Sequence, residues 1–104
     1  MSRPANLLRG ETPFEIEGQT LILRPSFEAL VAAEEELGSL FALVERASEG
    51  SLTLAEITGL IWHCLPRDDR PDRGLVGAAV VSMGLIPATA PVRAILAQVL
   101  QGQP

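Results

Sequence analysis

The segment "LIWHCLPRDDRPD", residues 60–72, gathers most of the chemistry-bearing residue types in this chain. His63, Cys64, Asp68 and Asp69 lie close together there, and the 104 residues hold no other His and no other Cys. A His beside carboxylates is the raw material of general base catalysis, and a His with a Cys is the raw material of a metal site. The spacing argues against both. Successive residues on a helix differ by roughly 100° around its axis. The adjacent His63 and Cys64 therefore point in different directions, whereas two helical ligands need a spacing of three or four, as in H-E-x-x-H. Asp68 and Asp69 follow Pro66 and fall in a loop.

Residue by residue, a structural account suffices. The apolar stripe of this helix is Leu54, Ile57, Ile61 and Leu65. Cys64 lies near that stripe and reads as a small buried hydrophobe. His63 falls roughly opposite it, in the last turn, where a partly positive imidazole complements the helix dipole. Trp62 sits at the stripe's edge, as a flank of the core or as a contact for a partner. The Asp-Asp-Arg loop reads as a solvated connection. Elsewhere there is no P-loop, no G-x-G-x-x-G, and no Ser or Thr in a His–carboxylate arrangement. "EEE" at 34–36 reads as a solvated face. Its first member, Glu34, lies between Phe27 and Leu37 on the apolar side. There it either reaches solvent or an Arg, or makes a buried polar contact that fixes register with a partner or with the hairpin.

The elements that must position these residues can be read from periodicity and caps. Residues 1–10 form an irregular arm. "TPFEIEGQTLILRP" carries a β-hairpin over 11–25: Phe14 and Ile16 alternate with Glu15 and Glu17, "EGQ" turns, and Pro13 and Pro25 bracket the pair. The remainder, 26–101, is expected to be helical. Ser26 caps "FEALVAAEEEL", with Phe27, Leu30, Val31 and Leu37 on one face and Gly38 as its stop. Ser39 caps a second helix ending at Gly50. Thr53 and Glu56 form a capping box for a third helix through Leu65. "GLVGAAVVSMG" is apolar nearly all round; its Ala and Gly favour helix over strand, and such a helix is buried or covered by a partner. In "TAPVRAILAQVL", Thr89 caps, Pro91 occupies the first turn, and Val92, Ile95, Leu96 and Val99 form a stripe. The expected fold is α+β: one domain over 1–104, an N-terminal hairpin packed against a bundle of four or five short α-helices.

Composition narrows the function classes. Eight Lys or Arg residues against 13 acidic ones leave a net charge of −5, which disfavours nucleic-acid backbones and anionic membrane surfaces. Aromatics make up only 4% of the chain, so Leu, Val, Ile and Ala must build the core. A single Cys suits a reducing compartment. No apolar run has signal-peptide or membrane-span character, so a soluble cytoplasmic location is expected.

The order of pieces also resembles a known family. "NLLRGE" leads into "FEIEGQTLILR", then "LVAAEEELG", then "SLFALVERASEGSLTLAEITGLIWHCL", then an apolar helix ending at "MGL". The specific positions are Asn6, Arg9, Gly10 and Glu11, then Glu35, Leu37 and Gly38, then Leu60, Ile61 and Trp62. This pattern is similar to the small tail proteins of gene transfer agents, the phage-like particles of alphaproteobacteria, over almost the whole chain. The matching protein is encoded between the tail tube and tape-measure genes. The chain departs from the pattern in the Arg-rich "RDDRPDRG" and in the lack of an acidic residue near the end of the fourth helix.

The resemblance implies a non-enzymatic assembly factor without cofactor or metal. Such a tail-assembly chaperone would bind the tape-measure and tail tube proteins, and could also self-associate. Trp62, Val92, Ile95, Leu96 and Val99 are the expected partner-binding residues. A structural tail tube subunit is the second reading. An enzyme using His63 with Asp68 or Asp69 is the third.

Overall fold

A computed structural model describes residues 11–68 and 70–102. The expected arm over 1–10 and the expected loop position of Asp69 lie outside the described residues. Strands β1 (Thr12–Ile16) and β2 (Gln19–Leu23) pair antiparallel with Ile16 opposite Gln19 and Thr12 opposite Leu23. The two-residue turn between them places both Glu17 and Gly18 at positive φ, 52° and 78°. That is the backbone twist that matches the flanking strands, and Gly18 takes it at no steric cost. Alternation decides the faces: Phe14, Ile16 and Leu23 are buried while Glu15 is exposed. Pro13 lies inside β1, opposite Ile22, rather than bracketing the pair. A lone hairpin is marginal in water, and this one packs through β1 onto α4 and α5.

Five helices follow: α1 (Phe27–Leu37), α2 (Leu40–Ser48), α3 (Leu54–Cys64), α4 (Arg73–Met83) and α5 (Leu85–Gln101). The caps read from sequence for the first three are present. Ser26 Oγ accepts from Ala29 N–H, and Ser39 Oγ accepts from Phe41 and Ala42 N–H. At α3, Thr53 Oγ1 accepts from Glu56 N–H at 3.1 Å and Glu56 Oε1 accepts from Thr53 N–H at 2.8 Å. Glu56 also pairs with Arg46 of α2, Nη1 to Oε2 at 2.6 Å, so one carboxylate caps α3 and ties it to its neighbour. Residues 75–83 are helical throughout.

Helix α3 is the axis of the molecule and packs against α1, α4 and α5. Ile57 through Ile61, together with His63 and Cys64, are buried. Gly59 permits the approach of α1: a Cβ there would meet Leu37 Cδ2 at 3.1 Å. The apolar faces differ from the simple wheels. In α1 the small Ala33 is buried, with Ala29, Leu30 and Leu37 beside the core, whereas Phe27 is 82% exposed and Val31 is also exposed. The helix is rotated so that its alanines, not its largest side chain, face α3. Leu54 lies at the open end of α3 and is exposed as well.

The last helix begins earlier than its sequence suggested. Gly84, at φ 101°, turns the chain straight from α4 into α5, so Leu85, Ile86 and Pro87 form its first turn. Thr89 is not a cap; its hydroxyl donates to Ile86 O at 2.6 Å, and Pro91 lies inside the helix. No single helix is long and apolar enough to cross a membrane; α4 and α5 meet that length and apolarity only together, as a pair bent by 118°.

The capping box is testable. Thr53→Ala removes one side of it and should cost about 1 kcal/mol. For a domain of this size, thermal unfolding should move down by about 4–8 °C. An unchanged midpoint would mean that the Arg46–Glu56 pair alone holds this end of α3.

Candidate functional site

His63 does not point away from the protein. It is buried, and its Nε2 lies 2.7 Å from Glu36 Oε1. A wheel places it opposite the stripe of α3, but α3 is covered on nearly every side over its last two turns, and α1 brings Glu36 to it. The carboxylate that meets His63 is therefore Glu36, from "EEE", and not Asp68. Asp68 is exposed and has no hydrogen bond or ion pair among the described residues. Glu36 also takes both guanidinium nitrogens of Arg73, Nη2 to Oε1 at 2.8 Å and Nη1 to Oε2 in a short contact.

The hydrogen bonds that Glu36 accepts, first from Arg73 and then from His63, pull its carboxyl from its ordinary 4.5 down to about 2. An ionised carboxylate only accepts, so His63 Nε2 carries the proton in this pair. Helices α1, α3 and α4 are thus clasped by one carboxylate.

Trp62 extends the clasp. Its Nε1–H donates to Pro71 O at 3.1 Å, and the guanidinium carbons of Arg70 and Arg73 lie 4.2 and 4.4 Å from its ring centroid. Two cations so close repel each other; the electron-rich ring face and Glu36 offset that repulsion. Arg70 also reaches the end of α3, where its Nη2 donates to His63 O and Leu65 O at 3.4 and 3.3 Å. The backbone N–H of Arg24, just after β2, donates to Cys64 O at 2.8 Å. The "RDDRPDR" segment is thus more than a solvated connection: its Arg70 satisfies carbonyls that the end of α3 leaves open, and its Arg73 holds Glu36. Cys64 is a core residue, and burial pushes its thiol up to about 12. It stays protonated and is a poor nucleophile or ligand. Among the described residues, no group of three or more His, Cys, Asp or Glu side chains is placed to hold a metal ion.

Glu34 has a third role beyond the two expected of it. Its Oε2 accepts from Leu40 N–H at 3.0 Å, so a carboxylate of α1 caps the start of α2.

The residues expected to meet a partner are placed inside. Val92, Ile95 and Leu96 are core residues, Val99 is half-buried against that core, and Trp62 is held in the clasp. The stripe of α5 is consumed by packing on α3, α4 and β1. The open apolar surface is elsewhere: Phe27, Phe41, Val81, Leu85 and Ile86, with Ile86 at 85% exposure. Leu85 and Ile86 edge a groove of about 260 Å³ whose lining includes Ala47, Leu52, Ile57, Val92 and Arg93. Pro87 was the sequence signal for this face, because a proline in a first turn is compatible with a helix starting at Leu85. Pro91 offered a competing start.

With that geometry in place, the comparison with protein families is decisive. The profile of the family described as "Phage tail tube protein, GTA-gp10" matches residues 9–102. The chain belongs to this family. It is a phage-tail protein of the gene transfer agent type, and its partners are the other proteins of the tail. No curated protein and no solved structure matches the chain.

For this tail protein the clasp and the core make separate predictions. Folded Glu36 titrates below its unfolded value, so its contribution is complete above about pH 4.5 and is lost as pH falls towards about 2. Its side chain is 41% exposed, so solvent screening limits that contribution to about 1 kcal/mol. Chemical denaturation should show wild type losing its advantage over Glu36→Gln across that window; parallel curves would deny the clasp any energetic role. In the core, Ile95→Ala should cost about 2–5 kcal/mol. Ile86→Ala should change stability by no more than about 0.5 kcal/mol. Equal losses at the two positions would contradict this placement of α5.

Proposed function

We propose that this tail protein is a non-enzymatic assembly chaperone. In this reading it binds the tape-measure protein in the cytoplasm of the producing cell and helps tail tube subunits polymerise around it. The observation that carries the reading is the family match across 9–102. Two features support it. The chain spends its chemistry-bearing side chains on caps and on the clasp, with Glu36, Glu56, Arg70 and Arg73 all engaged within the fold. It also leaves large apolar side chains open on α2, α4 and α5, which is how a protein addresses another helix. The net charge of −5 speaks against nucleic acid or an anionic membrane as the partner.

The family's description as a tail tube protein favours a second reading, a structural subunit that stays in the particle. A tube ring closed by sheet pairing needs extended strands. Among the described residues there is one two-stranded hairpin, with Pro13 interrupting the donor row of β1.

Quantitative mass spectrometry separates the two. The chaperone reading expects the protein in producing cells, bound to a tape-measure fragment on co-purification, and absent from purified particles. Stoichiometric presence in the particles would establish the structural role instead.

A further inference from the structure

A second cavity, distinct from the apolar groove beside α5, gathers cations that the fold leaves without carboxylates. We propose that it is a binding site for a small oxyanion of the phosphate type. The inference goes beyond the chaperone reading and stands whether or not that reading does. Arg67 and Arg70 belong to the Arg-rich segment in which the chain departs from the family pattern, so the site is a feature of this chain's own sequence.

The cavity has a volume of about 250 Å³ and lies between the start of α1 and the end of α3. That is just below the roughly 300–1,000 Å³ of most ligand sites, so it holds a compact group. Arg24 lines it from the end of β2, and Arg67 and Arg70 line it from the segment after α3. Arg24 Nε already faces Glu11 Oε2 at 3.6 Å. The other two have no carboxylate partner among the described residues. Arg67 is exposed and has no hydrogen bond or ion pair there. Arg70 is bonded to the His63 and Leu65 carbonyls and stacked on Trp62, and its buried Nε has no partner. Burial first, and then the charge of Arg67, hold the Arg70 guanidinium below its ordinary pKa. Two cations are thus held close together without a counter-charge, in a chain with 13 acidic residues.

A phosphate-type anion suits the other features of the cavity. Guanidinium groups present planar donor forks that match its oxygens, and a divalent anion answers two cations at once. Ser26, Glu28 and Ala29 form the wall at the start of α1, where the helix dipole adds partial positive charge. The dipole at the end of α3 has the opposite sign, but Arg70 Nη2 already covers carbonyls there. Ala32, Leu65 and Pro66 add apolar lining, which strengthens the field of the charges beside it. Glu28 is the one carboxylate among the described lining residues, and it is exposed. It opposes an anion, so its neutralisation should tighten binding.

Calorimetric titration of the full chain with inorganic phosphate at constant ionic strength tests this, with circular dichroism confirming that each variant is folded. Wild type should show saturable binding. Arg67→Gln should weaken it about tenfold. Glu28→Gln should strengthen it. Arg93→Gln, which removes an exposed arginine from the groove beside α5, should leave it unchanged. A parallel titration with glycerol phosphate separates two sources of the anion. Tighter binding than inorganic phosphate assigns the site to a phosphorylated small molecule, and equal or weaker binding assigns it to the free ion. Absence of saturable binding by both probes would overturn the proposal. So would binding that Arg67→Gln leaves intact, or that Arg93→Gln weakens equally, since the protein's overall charge would then be its cause.

Discussion

Helix α3 must be covered on almost every side, and the other elements are arranged to do so. Its sequence carries Ile57, Leu60, Ile61, Cys64 and Leu65 around more than one face, and all are buried. A helix that is apolar around most of its circumference cannot rest on a surface. Here α1, α4 and α5 close around it. The cost of such an arrangement falls at the helix ends, where backbone groups lose water. The entry to α3 is closed by the Thr53–Glu56 box and its exit by the Arg24 N–H and the Arg70 guanidinium. The loop and hairpin are therefore bound to the same helix that the core surrounds.

Charged side chains here do structural work in pairs of tasks. Glu56 caps its own helix and holds Arg46; Glu36 holds Arg73 and His63; Arg70 stacks on Trp62 and caps α3. Each of these partly buried groups finds a partner or a carbonyl, although the Arg70 Nε is left without one. The polar cluster that resembles a catalytic site is thereby accounted for by packing. His63 is oriented by Glu36, but the nearby thiol is protonated and embedded in the core. Large apolar side chains stay open to other molecules on the outer faces of α1, α2, α4 and α5. Such a surface agrees with the family, whose members work among the proteins of a phage tail. A tail is assembled by protein contacts, and open apolar helix faces are surfaces suited to making them.

Most local structure was legible in the sequence, and the tertiary arrangement decided the rest. The hairpin and the first three caps follow from interactions within a few residues, alternation and Ser or Thr before a helical run, whereas 75–83 was open between helix and strand until its packing was seen. The family pattern was legible too, because it is carried by order and spacing along the chain. Which side of a helix is buried was not, since that depends on what approaches it. Phe27 was expected inside and is outside, because α1 approaches α3 through Ala33 and over Gly59. His63 was expected outside and is inside, because Glu36, 27 residues earlier, comes to meet it. The stripe Val92–Val99 was read correctly as apolar, but its use in the core rather than at an interface depended on α5 folding back across α3 and β1. Sequence alone therefore determined the hairpin, the first three helices with their caps, and the family. Only the tertiary structure decided which carboxylate meets the histidine and which apolar face stays open, because both depend on residues far apart in the chain.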